Sequence, residues 1–261
     1  VRLVGSTPFS SNTEVFTRLS TTLPNRLLRI PDGETGKRYY FTRWQHDIFS
    51  LFPFILRVYY DGQFDTTITS GPIQLKSVEY DDFALESYEE FKRLRNAGVI
   101  EPGVRFQVSL STPVNVICES IKPEYQAEVE VLYEKLLLDA LRRIQDHIPK
   151  EDLAIQWDCA FEFAMLEEVS FGPRPWFSLL KEGLVERMCR MANGVDNGVQ
   201  MRFHLCYGDS GHKHFVQPKD TALLVEMANL ISGMANTDVN WVHMPVPEDR
   251  FDDAYYAPLG I

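Results

Sequence analysis

A chain of 261 residues with 44% hydrophobic and 24% charged residues has the composition of a soluble globular protein with a sizeable core. No Ser/Gly- or Pro-rich linker divides it, so one domain over residues 1–261 is expected. The formal charge of −11 opposes a nucleic-acid partner, since no basic run offsets it. No apolar stretch reaches the roughly 18–20 residues of a membrane span, because "FSLFPFILRVYY" (49–60) is short and broken by Pro53 and Arg57.

The opening "VRLVGSTPFS" has neither the long apolar region nor the small-residue cleavage site of a signal peptide, and no initiator Met. Cys118, Cys159, Cys189 and Cys206 are scattered rather than framed as a disulfide scaffold, which fits a reducing, cytoplasmic location.

In chain order, "RLVGS" (2–6) reads as a first strand, followed by a helix over about 12–22 capped by Asn12. "RLLRIPDGE" (26–34) is the second strand and breaks at Pro31 and Gly33; "PIQLKSVEY" (72–80) is the third. The stretch between them, 39–70, is rich in Phe and Tyr and reads as a long insertion over the mouth of the fold. Next, "DDFALESYEEFKRLRNAG" opens with acids, lines Phe83, Tyr88, Phe91 and Leu94 along one side and stops at Gly98, as a helix does.

"VRFQVSLSTPVNVI" (104–117) is the fourth strand, and 124–148 a long helix with apolar residues at three- and four-residue steps from Tyr125 to Ile148. "LAIQWDCAFEF" (153–163), "VQMRFHLCYGD" (199–209) and "VNWVHMPVP" (239–247) complete seven strands, with a helix in "PKDTALLVEMANLISGMAN" between the last two. Apolar strands alternating with amphipathic helices predict a parallel sheet covered by helices. Polar residues gathered at the strands' C-terminal ends favour an α/β fold of the (β/α)8 TIM-barrel type, lacking its final strand and helix in this chain, over an open doubly wound sheet. "DGETG" is neither a dinucleotide fingerprint nor a phosphate loop.

Barrel chemistry sits where strands end, which places Ser6, Asp32, Glu34, Asp158, Glu162, His204, Cys206, Asp209 and His243 round one mouth. His204 and Cys206 share a strand face, and His243 comes from the neighbouring strand; imidazole and thiolate both suit zinc. Each residue also has a plainer reading. A lone His more often satisfies a core hydrogen bond, a Cys packs as a small hydrophobe, and Glu34 belongs to a Gly-rich turn. Asp158 is harder to set aside, because a buried carboxylate without a partner is costly. His212 and His214 in "GHKHF" suit an exposed loop or an acid–base pair, and Trp44 a core position or a pocket wall. His46 and His147 receive no role; Cys118, Cys159 and Cys189 are expected to pack.

Four segments, in order, resemble the C-terminal barrel of cobalamin-independent methionine synthase: "VRLVGS" its opening strand, "PDGE" its second-strand acidic motif, "IQWD" its IQ-x-D strand, and "HLCYGD" its zinc-binding strand. The resemblance spans nearly the whole chain and implies that His204 and Cys206 are zinc ligands. It also implies that Glu34 and Asp158 hold a substrate amino group and that Ser6 lies near its carboxylate. His243 stands where that family has a glutamate ligand, with Glu226 a less natural substitute, and the family's last cysteine ligand and its folate-binding half have no counterpart in these residues.

The implied activity is that of a standalone relative, a zinc-dependent enzyme activating a thiol substrate for methyl or alkyl transfer. The partner is then a small molecule, a thiol or an amino acid, with neither nucleic acid nor membrane. Two further readings stand beside it. One is a metal-free lyase, hydrolase or decarboxylase acting on a small acid, by analogy with the related uroporphyrinogen decarboxylase barrel; the other is a catalytically silent binding protein.

Overall fold

In β3 (Leu153–Cys159) all seven side chains are buried, as a central parallel strand covered on both faces requires. In this computed structural model, which describes residues 1, 3–57, 67–170, 172–208, 211 and 213–260, it lies in the middle of a five-stranded parallel sheet. The other strands are β1 (Arg29–Pro31), β2 (Arg105–Ser111), β4 (Gln200–Leu205) and β5 (Trp241–His243). Spatial order follows sequence order, β1-β2-β3-β4-β5, and every neighbouring pair is parallel. This is the winding of a (β/α) barrel, realised as an open, curled half-barrel flanked by helices.

The helices are α1 (Asn12–Thr22), α2 (Tyr80–Asn96), α3 (Pro113–Ser120), α4 (Gln126–His147), α5 (Phe161–Leu166), α6 (Leu180–Asn193), α7 (Ala222–Met234) and α8 (Asp253–Tyr256). Phe16 of α1 and Phe91 of α2 meet edge to face at 5.8 Å, and both pack on Phe106 of β2. Fully burying each such ring contributes about 1.5–3 kcal/mol. No helix among the described residues is long and apolar enough to cross a membrane.

Two expected strands do not form. Residues 3–6 enter no ladder: the carbonyls of Leu3 and Val4 instead accept from side chains inside the curl, Arg202 Nη2 (2.6 Å to Leu3), Gln156 Nε2 (2.6 Å to Val4) and Gln107 Nε2 (2.9 Å to Val4). Over 72–79 the alternation holds only in part, since Ile73 is buried and Leu75 and Ser77 half-buried between exposed Gln74 and Lys76, whereas buried Val78 falls out of phase, and no backbone partner lies alongside. The Val78 carbonyl is taken by Gln45 Nε2, and left-handed Glu79 turns the chain into α2 at Tyr80.

Boundaries also move, and the expected strands 26–34, 199–209 and 239–247 shorten to β1, β4 and β5. β2 ends at Ser111 because Pro113 opens α3, β3 gives way to α5 at Phe161, and α1 is capped by Ser11, whose hydroxyl accepts from the Glu14 N–H, rather than by Asn12. The expected positions Asp209 and His212 and the stretch 58–66 of the aromatic insertion lie outside the described residues.

Candidate active site

Parallel pairing fixes which residues meet at the mouth. Ser111 of β2 is in register with Asp158 of β3, Asp158 with His204 of β4, and His204 with His243 of β5. One polar row thus crosses four strands at their C-terminal ends. Alternation puts Gln156 and Arg202 one layer deeper on the same face, while Trp157, Phe203 and Leu205 face the helices and are fully buried.

Within that row the His204 Nδ1 hydrogen-bonds Asp158 Oδ1 at 2.8 Å, and Gln156 Nε2 donates to the same oxygen at 2.6 Å. Both bonds fall on Oδ1, which leaves Oδ2 to meet a ligand. Burial by itself lowers the His204 pKa, but hydrogen bonds and charge from Asp158 and Cys206 outweigh it and raise it to about 10. His204 is therefore an imidazolium in the neutral range. His243 packs its ring at right angles to His204, with centroids 4.9 Å apart.

Glu34 faces Asp158 from the other side. It follows Gly33 (φ +82°) and itself sits at φ +50°, a sparsely populated conformation held by its N–H donating to Asp32 Oδ1 at 3.0 Å. Asp32 is in turn clamped by Arg38 Nη2 at 2.6 Å and the Ser87 hydroxyl at 2.8 Å. Ser6 donates its hydroxyl to Glu34 Oε2. Burial first, then the charge of Asp158, push Glu34 up to about 7, while the Ser6 hydrogen bond and Arg38 pull it back and Asp32 adds to the rise. A carboxyl there exchanges its proton at neutral pH.

The two carboxylates share one narrow pocket of about 10 Å³, lined by Glu34, Arg38, Phe41, Trp44, Tyr80, Ser109, Ser111 and Asp158. Trp44, an expected pocket wall, meets Tyr80 edge to face at 4.9 Å. Sequence reasoning had not placed Arg38, Phe41, Tyr80, Ser109 or Ser111 there. For the two serines a signal existed, since "QVSLS" alternates polar and apolar within a strand otherwise destined for the core.

Glu162, expected near the mouth, lies behind it in full burial, taking hydrogen bonds from the Thr112 hydroxyl and from Asn115 Nδ2 at 3.1 Å. Burial raises it to about 7 against those bonds. Glu226 pairs with Lys181 at 2.6 Å on the outer helices, and His214 lines a separate cleft with Lys213 and Phe251. Cys118, Cys159 and Cys189 are buried, whereas Cys206 is part-exposed.

Of the residues considered for zinc, His204 on β4 is in register with His243 on β5, and Cys206 follows just beyond the end of β4. Yet no three or more His, Cys, Asp or Glu side chains among the described residues form a group able to hold a metal ion. No protein-family model, curated protein or solved structure matches the chain.

Proposed function

We propose that the chain is an acid–base enzyme, a hydrolase, lyase or decarboxylase acting on a small acid, run by groups that the chain itself supplies. The observation that carries this reading is Glu34, poised to exchange a proton near neutrality, facing across one pocket the Asp158–His204 pair hydrogen-bonded at 2.8 Å. In these roles Glu34 moves the proton, the His204 imidazolium stabilises negative charge developing on the substrate, and Asp158 orients His204. Trp44 and Tyr80 give the pocket aromatic walls, and the negative pair Glu34 and Asp158 favours a substrate that also carries an amino group.

Zinc-dependent thiol activation, as the resemblance implies, is the competing reading. What favours it is Asp158 on His204 Nδ1, the partner that a metal-bound imidazole commonly has.

The test is turnover of a panel of small carboxylic and amino acids and their esters, with and without chelator, beside Glu34→Gln and Asp158→Asn. Chelator-insensitive turnover that falls about 10²–10⁴-fold in both folded variants supports the proposal. About one zinc per chain, with turnover lost on chelation, replaces it with the zinc reading. Absence of turnover across the panel, with both variants unchanged in ligand binding, leaves the silent binding protein.

A further inference from the structure

We propose that the strap 39–41 is a lid over the pocket between Glu34 and Asp158, and that Phe41 is its gate, swinging out to admit a substrate and limiting the bulk of acid that enters. The inference deepens the acid–base reading and takes from it only that substrate reaches Glu34.

Size is the first argument. A cavity of about 10 Å³ is just enough for a single water, whereas even a small carboxylic acid has several non-hydrogen atoms to place. A ligand comes to lie between the two carboxylates only if one wall moves.

Most of the walls are fixed. Ser109 and Ser111 belong to β2 and Asp158 to β3, all within the paired ladder, and Asp158 is further held by Gln156 and His204. Tyr80 is buried at the start of α2, and buried Trp44 meets Tyr80 and Phe83 edge to face, at 4.9 and 5.7 Å. Arg38 is clamped to Asp32 at 2.6 Å, and Asp32 in turn accepts from the Glu34 N–H. Phe41 differs on each count. It is 41% exposed, lies in a turn between the short 3-10 helices Gly36–Tyr39 and Arg43–Phe49, and sits at φ +34°, where a side chain of its size is strained. Opening releases that strain, and closure returns the ring to the pocket.

The strap has the fixed ends that a lid needs. On one side is Arg38 on Asp32; on the other Thr42 is fully buried, its hydroxyl donating to Glu119 Oε2 of α3 at 2.5 Å. Anchors this close confine the motion to the three residues between them and leave Glu34 in place. Those three are Tyr39, Tyr40 and Phe41, exposed by 54%, 63% and 41%, and the two tyrosines meet edge to face at 5.2 Å. Large aromatic side chains gathered at the surface beside a polar pocket mark a ligand-facing segment. With substrate inside, the closed strap excludes water from the proton transfer at Glu34.

The experiment uses the whole chain carrying Ser111→Cys, which sets a thiol on the pocket wall. Methyl methanethiosulfonate is the probe, and peptide mass spectrometry reads each cysteine separately. Buried Cys118 labels through unfolding and gives the rate of that route, while free glutathione gives the rate of an open thiol.

The introduced thiol is expected to react at least about 10-fold faster than Cys118 and at least about 10-fold more slowly than glutathione, because it waits on local opening. Phe41→Gly removes both the ring and the backbone strain, and should raise the rate at position 111 at least about 10-fold with Cys118 unchanged. Phe41→Trp should lower it. If Ser111→Cys fails to fold, Ser109→Cys on the same wall gives the same comparison. Labelling as fast as glutathione overturns the proposal, since the pocket is then open. Labelling no faster than Cys118, or a rate indifferent to Phe41→Gly, overturns it equally. No turnover is needed for this readout, so gated labelling beside an inert panel of small acids sinks the acid–base reading and leaves the lid standing; turnover of the panel with labelling indifferent to Phe41→Gly does the reverse.

Discussion

Arg29 of β1 stacks its guanidinium on the indole of Trp241 of β5, 3.4 Å from the ring centroid, although these are the two edge strands of the sheet. Arg29 Nε also donates to Gln200 on β4 at 2.7 Å. A flat five-stranded sheet would hold its edges roughly 19 Å apart at about 4.8 Å per strand, so this contact measures how far the sheet curls. It closes one end of the half-barrel and leaves the row Ser111–Asp158–His204–His243 at the other.

Replacing Arg29 tests that closure. Arg29→Ala is expected to lower unfolding stability by about 1–2 kcal/mol and to change Trp241 emission. Arg29→Lys should recover little, because an ammonium lacks the planar face that stacks. Urea unfolding followed by tryptophan fluorescence reads both effects.

The turn that presents Glu34 tolerates no side chain at Gly33. A Cβ there would lie 2.5 Å from Thr7 Oγ1 and 2.5 Å from Val15 Cγ2, at φ +82°. At Gly36, with φ +68°, nothing lies within 4 Å. Thermal unfolding should show Gly33→Ala costing about 2–4 kcal/mol and Gly36→Ala about 1, the backbone penalty alone. Equal losses would mean that the contact with α1 contributes nothing.

Glu34 offers a titration that needs no substrate. Carboxyl-labelled ¹³C NMR should find its midpoint at about 7. Asp158→Asn removes a neighbouring negative charge and should lower it by about one unit. Ser6→Ala removes a hydrogen bond to the charged form and should raise it. Glu34 titrating in the ordinary carboxylate range in wild type would remove the proton shuttle on which the proposed function depends.

Glu162 should appear in the pH dependence of stability. Its pKa rises from 4.5 in the unfolded chain to about 7 in the fold. The folded state thus holds the extra proton between those values, and the group's stabilising contribution, complete below about 4.5, is lost as pH rises through about 7. Glu162→Gln cannot titrate, so from about pH 5 to pH 8 the variant should gain on wild type by on the order of 1–3 kcal/mol in denaturant unfolding. A constant difference across that range would show that Glu162 titrates alike in both states.

The sequence revealed the parallel sheet and the mouth residues where hydrophobic period and strand end coincide. "IQWD" and "FHLC" carry polar side chains at alternate positions of near-apolar strands, and Asp158 and His204 meet as that alternation predicts. "VRLVGS" and "PIQLKSVEY" are also short apolar runs with strand-like composition, yet a strand needs a backbone neighbour, and local pattern does not say whether one is present. Glu162 misled for a related reason. It continues the β3 run in sequence, but the chain has already turned into α5, and the carboxylate faces Thr112 and Asn115. Arg38, Phe41 and Tyr80 reach the pocket from loops and a helix start, where side-chain direction follows no period.

The segment before Glu34 has a consequence for the order of assembly. Leu3 is bound by Arg202, 199 positions further along the chain, and Val4 by Gln156, 152 positions away. Neither anchor exists until β3 and β4 have paired, and closing loops of that size is entropically unfavourable until their contacts form. The amino-terminal residues therefore dock last, onto a sheet already built, and bring Ser6 to Glu34 only then. Pulsed hydrogen exchange would find β2–β4 protected first, and the proton-exchanging carboxyl would acquire its final environment in the closing step of folding.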